Sequence, residues 1–165
     1  MQSTDCERIP SNCAYTTQHT TPDTAQTTGA SPTTGLATPN GGLQVVNPSR
    51  AIYDKITNHL NTSSSITNYD FADQSLMSDV FRGQWVALPY VYNALKTMRW
   101  KGVHDAIWRD EEVKNVHYIL NPKPWDEAED VRRSERSQDP LNAWWWEVTE
   151  ERLRGEKERG IDDSF

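Results

Sequence analysis

The sequence predicts an α/β fold with a helical tail, and three observations point to it. Short apolar runs, Gly42–Val46 and Val113–Leu120, are interleaved with segments whose apolar residues recur at helical spacing. Seven Trp and six Tyr supply bulky groups for a core, although only 35% of the 165 residues are hydrophobic. Acidity is concentrated at one end: Asp126 onward carries 13 acidic and 7 basic residues, against 11 and 10 in residues 1 to 125. The centre is therefore nearly neutral and the tail acidic.

The chain is long enough for one modest domain with a core. Its mean hydropathy of −0.82 implies poorly ordered flanks around a folded centre. The organisation read from composition is a polar Thr/Pro-rich loop or linker over 1–39, a half-domain over 40–125, and a Trp-containing acidic helical tail over 126–165. No basic patch could neutralise a run of phosphates, which excludes nucleic acid as a partner. The amino-terminal residues lack an apolar h-region and no long apolar run occurs, so no membrane segment is expected and the cytoplasm is the default compartment. Cys6 and Cys13 are too few for a zinc site. Their spacing permits a disulfide without requiring one, and two reduced thiols are the expectation.

Residues 16 to 39 carry almost no aliphatic side chains and read as a surface loop. Gly42–Val46, closed by Asn47-Pro48, reads as a short buried strand. Ser49 occupies an N-cap position, and Ile52, Tyr53, Ile56 and Leu60 predict an amphipathic helix of about ten residues. A Ser/Thr/Asn loop follows. A second helix begins near Asp73, with Leu76, Met77, Val80 and Phe81 on one face, and stops near Gly83. Val113, Val116, Tyr118 and Leu120 alternate as in a strand. After a charged linker, Leu141, Trp145, Val148 and Arg152 share one face of a helix from about Pro140 to Glu158. Trp144-Trp145-Trp146 could stack on a sugar or dock the tail onto the core. Three consecutive helical residues point in three directions, which favours docking.

Two clusters carry chemistry. His117 and Lys123 stand six residues apart at the end of a β-like run, before Pro124-Trp125. A neutral imidazole coordinates a divalent metal, and an ammonium neutralises phosphate oxygens bridged by the same ion. The plain alternative is a strand end with a solvated lysine. Upstream, Asp70, Asp73 and Gln74 suit hydrogen bonds to sugar hydroxyls, although carboxylates also favour helix N-termini for dipole and capping reasons. Carboxylates this close in sequence seldom flank a scissile bond, which argues against glycoside hydrolysis. Asn40-Gly41-Gly42 offers an amide for a hydroxyl and two glycines for close backbone approach, or else a plain turn.

Taken in order, Asn40–Ser49, Asp70–Gln74, Trp85 with Leu88–Asn93, and His117–Trp125 resemble glycosyltransferase family 8, the group that includes glycogenin and galactinol synthase. The resemblance runs from about Asn40 to Trp125. It implies a GT-A (nucleotide-diphospho-sugar transferase) fold, manganese as cofactor, and transfer of glucose or galactose from a UDP-sugar to an acceptor with retention. By the same resemblance His117 looks like a metal ligand and Lys123 like the lysine on the donor diphosphate. Asp73 and Gln74 look like the pair near the transferred sugar and, with Asp70, like the catalytic residues; Asp70 and Asn40 look like hydroxyl partners, and Asn40, Gly42 and Lys123 like donor-binding residues. A metal and a lysine would stabilise charge on the departing diphosphate.

Two departures stand out. The position three after His117 is commonly Gly in glycogenin-like members and is Leu120 here. The family's Asp-x-Asp metal motif and the Rossmann-like strands around it precede the Asn-Gly-Gly segment, and the 39 residues before Asn40 contain neither. The chain is therefore expected to be the carboxyl-terminal half of the catalytic domain, lacking the Rossmann-like half and inactive alone. The competing expectation is a non-catalytic interaction or regulatory protein whose Trp-rich tail meets a protein partner.

Overall fold

A computed structural model of the chain describes residues 10–127 and 139–161. It divides into two compact units, Met1–His117 and Tyr118–Phe165.

In the first unit, α1 (Arg50–Thr62) starts where Ser49 Oγ accepts the Ile52 amide at 3.2 Å, satisfying one free donor of the first turn. Its apolar stripe is only partly covered, with Tyr53 and Leu60 exposed. The helix α2 (Ala72–Val80) carries Asp73 in its first turn, where the helix dipole favours a carboxylate. Asp79, near the end of α2, ties the two helices together. Its Oδ2 accepts from Tyr69 Oη (2.9 Å) and Ser65 Oγ (3.0 Å), its Oδ1 accepts from Arg82 (2.8 Å), and Tyr69 Oη lies 2.9 Å from His59 Nε2 of α1.

The core of this unit gathers around Tyr90, Val91, Ala94, Met98, Ile107 and Trp108, all buried. The Tyr90 ring lies 5.7 Å from Trp108, and its hydroxyl donates to the Ile107 carbonyl while accepting the Arg109 amide. A buried phenol needs both bonds to offset its desolvation. The sheet is small: β1 (Ala94–Leu95) pairs in parallel with β2 (Val116–His117), Ala94 opposite Val116 and Leu95 opposite His117.

Several expectations need correction. Leu43–Val46 is not a buried strand: it is unpaired, and Leu43, Val45 and Val46 are exposed. A buried strand needs ladder partners on its edges, which the apolar run alone does not provide. The Val113–Leu120 strand shrinks to two residues. Asp110–Glu112 forms a 3-10 turn, the Lys114 and Asn115 amides both turn back to the Val91 carbonyl, and Leu120 leaves extended geometry at φ +65°.

Residues 10–39 do lack long helices and strands, yet they pack. Three 3-10 turns, Pro10–Asn12, Ala14–Thr20 and Pro22–Thr24, bring Cys13, Gln18, Ala25 and Ala30 into buried positions. Gln26 Nε2 donates to the Ile107 carbonyl at 2.8 Å. At Gly29 a Cβ would overlap the Ala87 carbonyl, so backbone touches backbone directly. Small side chains and amide bonds thus replace the missing aliphatics. Nor is Cys13 a reduced thiol: it is disulfide-bonded. Cys6, the other cysteine in the sequence, lies outside the described residues.

The second unit contains α3 (Pro140–Glu158), capped by Asp139 Oδ1 on the Leu141 amide at 3.0 Å. Its first turns pack on Tyr118–Glu127. Trp145 sits edge-on to Tyr118 and tilted on Trp125 at 4.9 Å, Tyr118 Oη donates to the Leu141 carbonyl, and Asn142 Nδ2 donates to Glu127. Leu141 is fully buried, whereas Val148, on the same predicted face, is exposed. The charged linker expected after Trp125 falls largely on residues 128–138, outside the described residues. Among the described residues no helix is long and apolar enough to cross a membrane.

Candidate functional site

The first unit brings five of the motif residues to one place. Asn40 Oδ1 accepts the Gly42 amide at 2.8 Å, closing a tight turn, and also accepts Asn93 Nδ2 at 3.0 Å. The Gly41 amide donates to Gln74 Oε1 at 2.7 Å, which pins the turn to α2. A Cβ on Gly42 would stand 2.8 Å from the His117 ring atoms Cε1 and Nδ1, so only glycine lets the turn lie against the imidazole. A Cβ on Gly41 would approach Gln74 Cβ at 3.1 Å and Asp73 Oδ2 at 3.7 Å. Asn40, Gly42, Asp73, Gln74 and His117 therefore share one half-exposed surface.

The positions of these groups follow from the local fold. Pairing of β2 with β1 places His117 opposite Leu95, two residues beyond Asn93. The amino-terminal turn of α2 presents Asp73 and Gln74. Asn93 is the residue of this surface that the reading of side-chain chemistry missed. It was visible only as the last residue of the Leu88–Asn93 motif, and its partner lies 53 positions away.

The remaining predicted residues are Asp70 and Lys123. Asp70 is exposed on the turn before α2 and makes no hydrogen bond or ion pair among the described residues. Lys123 belongs to the second unit, where its ammonium donates to the Tyr118 carbonyl and its amide to Asp126 Oδ2 at 3.0 Å. Leu120 is held at φ +65°, a left-handed conformation that glycine adopts without cost and a leucine resists. That is the physical reason a glycine suits this position, and Leu120 carries the strain of replacing it.

The donor set does not fit a divalent metal as it stands. Among the described residues no three His, Cys, Asp or Glu side chains converge as metal ligands. His117 alone offers one nitrogen, whereas ions of the manganese class rely on several hard oxygens.

A sequence model of Glycosyl transferase family 8 matches residues 40–129, more than half of the chain. The chain belongs to glycosyl transferase family 8. Family membership implies a nucleotide-diphospho-sugar transferase fold, and the matched region contains every residue of the surface just described. Galactinol synthase 1 of Solanum lycopersicum is 27% identical over 123 residues, covering 73% of this chain and 37% of the relative. Galactinol synthase 5 of Arabidopsis thaliana is 30% identical over 115 residues, covering 68% and 33%. Glycogenin of Neurospora crassa is 23% identical over 123 residues, covering 74% and 18%. The chain thus spans about a third of the length of these galactinol synthases and less of the glycogenin. No solved structure matches it.

Proposed function

We propose that this chain contributes one wall of the donor site of a retaining hexosyltransferase that uses a UDP-sugar. The observation that carries the reading is the glycine turn held between Gln74, Asn93 and the His117 ring. Amides and a carboxylate on a half-exposed, pre-set surface match the alternating donors and acceptors of a hexose. In this reading Asn40, Asp70, Asp73 and Gln74 hydrogen-bond the sugar, and Gly42 keeps the turn close enough for backbone contact. His117 faces the diphosphate, and Lys123, in the second unit, is by itself a candidate phosphate contact. The oxygen ligands that manganese needs are not assembled among the described residues, so these 165 residues are proposed to bind donor weakly and transfer nothing.

Calorimetry on the whole chain tests this, with UDP and UDP-glucose titrated with and without manganese. Weak binding that His117→Ala removes supports the donor wall. Measurable sugar transfer by the isolated chain overturns the proposed inactivity, and heat of binding unchanged in His117→Ala overturns the site.

The second reading is a non-catalytic interaction protein. It is favoured by the exposed apolar residues Val148 and Leu153 on α3. No response to UDP, together with capture of a defined partner that Val148→Asp abolishes, would support it.

A further inference from the structure

His104 is buried, 4% exposed, in the turn after Gly102. Its Nε2 stands 3.2 Å from Cys13 Sγ, and its Nδ1 stands 2.9 Å from His19 Nε2. Tyr15 meets the ring edge-on at 5.7 Å between centroids, and His19 does so at 5.1 Å. The neighbouring Asp105 is occupied by the Gly102 amide at 3.0 Å. Tyr15, His19 and Asp105 are the titratable groups about this imidazole.

The partners fix where its proton sits. A disulfide sulfur has lone pairs and no proton, so the contact with Cys13 is made by a proton on His104 Nε2. The neutral ring then has a bare Nδ1, which accepts from His19 Nε2–H. A proton on His104 Nδ1 would require His19 to present a bare Nε2 instead. Burial, reinforced by His19, pulls the His104 pKa down to about 4, so the ring stays neutral where thiols react.

We propose that Cys13 is the leaving-group sulfur of a reducible disulfide, with His104 as its hydrogen-bond donor, His19 as the positioning residue, and dithiols as the reductants. Cys13 is only 6% exposed, which shields its own sulfur from an incoming thiolate and makes it the leaving group. The S–S bond breaks and its electron pair departs on Cys13 Sγ, which accepts the His104 Nε2–H. The second thiol of the dithiol, as thiolate, resolves the mixed disulfide. The dithiol loses two electrons and two protons, and the protein gains two thiol groups. A donor aimed at the leaving sulfur speeds this exchange, because a lower leaving-group pKa leaves faster. The disulfide state thereby couples to the packing of residues 10–24 on the His104 turn, independently of the donor-site reading.

Reduction of the whole chain by dithiothreitol tests the proposal, with denaturation in concentrated guanidinium as reference. The folded His104→Phe protein is expected to reduce about tenfold more slowly than wild type, with equal rates in guanidinium. His19→Ala should also slow it, and His19→Gln, whose amide can donate to Nδ1, should restore the rate. In the reduced protein, ultraviolet thiolate absorbance should show a thiol pKa below the ordinary range, returning to it in His104→Phe. Long-range proton–nitrogen NMR of wild type needs no variant and should find His104 as the Nε2–H tautomer. Equal or faster reduction of His104→Phe together with an ordinary thiol pKa, or an Nδ1–H tautomer, overturns the proposal.

Discussion

The core around Tyr90 and the Asn40–His117 surface lie in one unit, yet they are built from opposite materials. The core closes on itself: Tyr90, Met98 and Ile107 are at most 1% exposed, and the Tyr90 hydroxyl is spent on two backbone groups. The surface is a two-glycine turn held by side-chain amides, with Asp73 and Gly42 exposed. The core has satisfied its polar groups internally, whereas the surface leaves a carboxylate and amides facing solvent, ready for a polar ligand. Stability and binding should therefore separate on mutation.

The largest break comes in the core. Tyr90→Ala should cost about 3–5 kcal/mol in chemical denaturation, and Tyr90→Phe ~1–2 kcal/mol because the Arg109 amide loses its acceptor. A Tyr90→Phe protein as stable as wild type would show that the hydroxyl contributes nothing. Gly42→Val tests the other side. Its Cβ must displace the His117 ring, so donor affinity should fall at least tenfold, ~1.4 kcal/mol, with a much smaller stability change than Tyr90→Ala. Equal losses in both assays would erase the distinction between the two regions.

A subtler test uses backbone strain in the second unit. Leu120→Gly and Leu120→Ala both remove the side chain beyond Cβ, but only glycine relieves φ +65°. The glycine variant should be more stable than the alanine variant by about 1 kcal/mol. Identical denaturation midpoints would contradict the strain.

The smallest effects are in pH dependence. His104 is depressed to about 4 by burial and His19, against an ordinary value near ~6.5. The unfolded chain binds the extra proton between those values, so this stability is complete above the ordinary value and is lost as pH falls toward 4. Asp79 is drawn down to about 2 by hydrogen bonds from Arg82, Tyr69 and Ser65. Its contribution is complete above the ordinary carboxylate range and is lost as pH falls through 2. Denaturation across pH should show the first loss vanish in His104→Phe and the second in Asp79→Asn. A wild-type profile flat between pH ~6.5 and 4 would count against a buried neutral His104.

Much of the helical structure was legible because it is local. Ser49 and the Ile52/Ile56 spacing mark α1, and Pro140 opens α3 where expected. The motif residues Asn40, Gly42, Asp73, Gln74 and His117 were legible through their order along the chain. What was not legible is non-local. Whether Leu43–Val46 is buried depends on a pairing partner, and the Cys13–His104–His19 contacts join residues 85 and 91 positions apart. Residues 10–39 bury small and polar side chains, so no hydrophobic periodicity announces their packing. Asn93 shows its role only once Asn40 lies against it.

The central claim, that the glycine turn, Gln74, Asn93 and His117 form a wall for a sugar nucleotide, is tested most directly by NMR. UDP-glucose and magnesium would be titrated into the isotope-labelled chain. The amides of Gly41 and Gly42, the side-chain amides of Gln74 and Asn93, and the His117 ring should shift together along one binding curve. Shifts confined to other residues, or none at saturating donor, would contradict it.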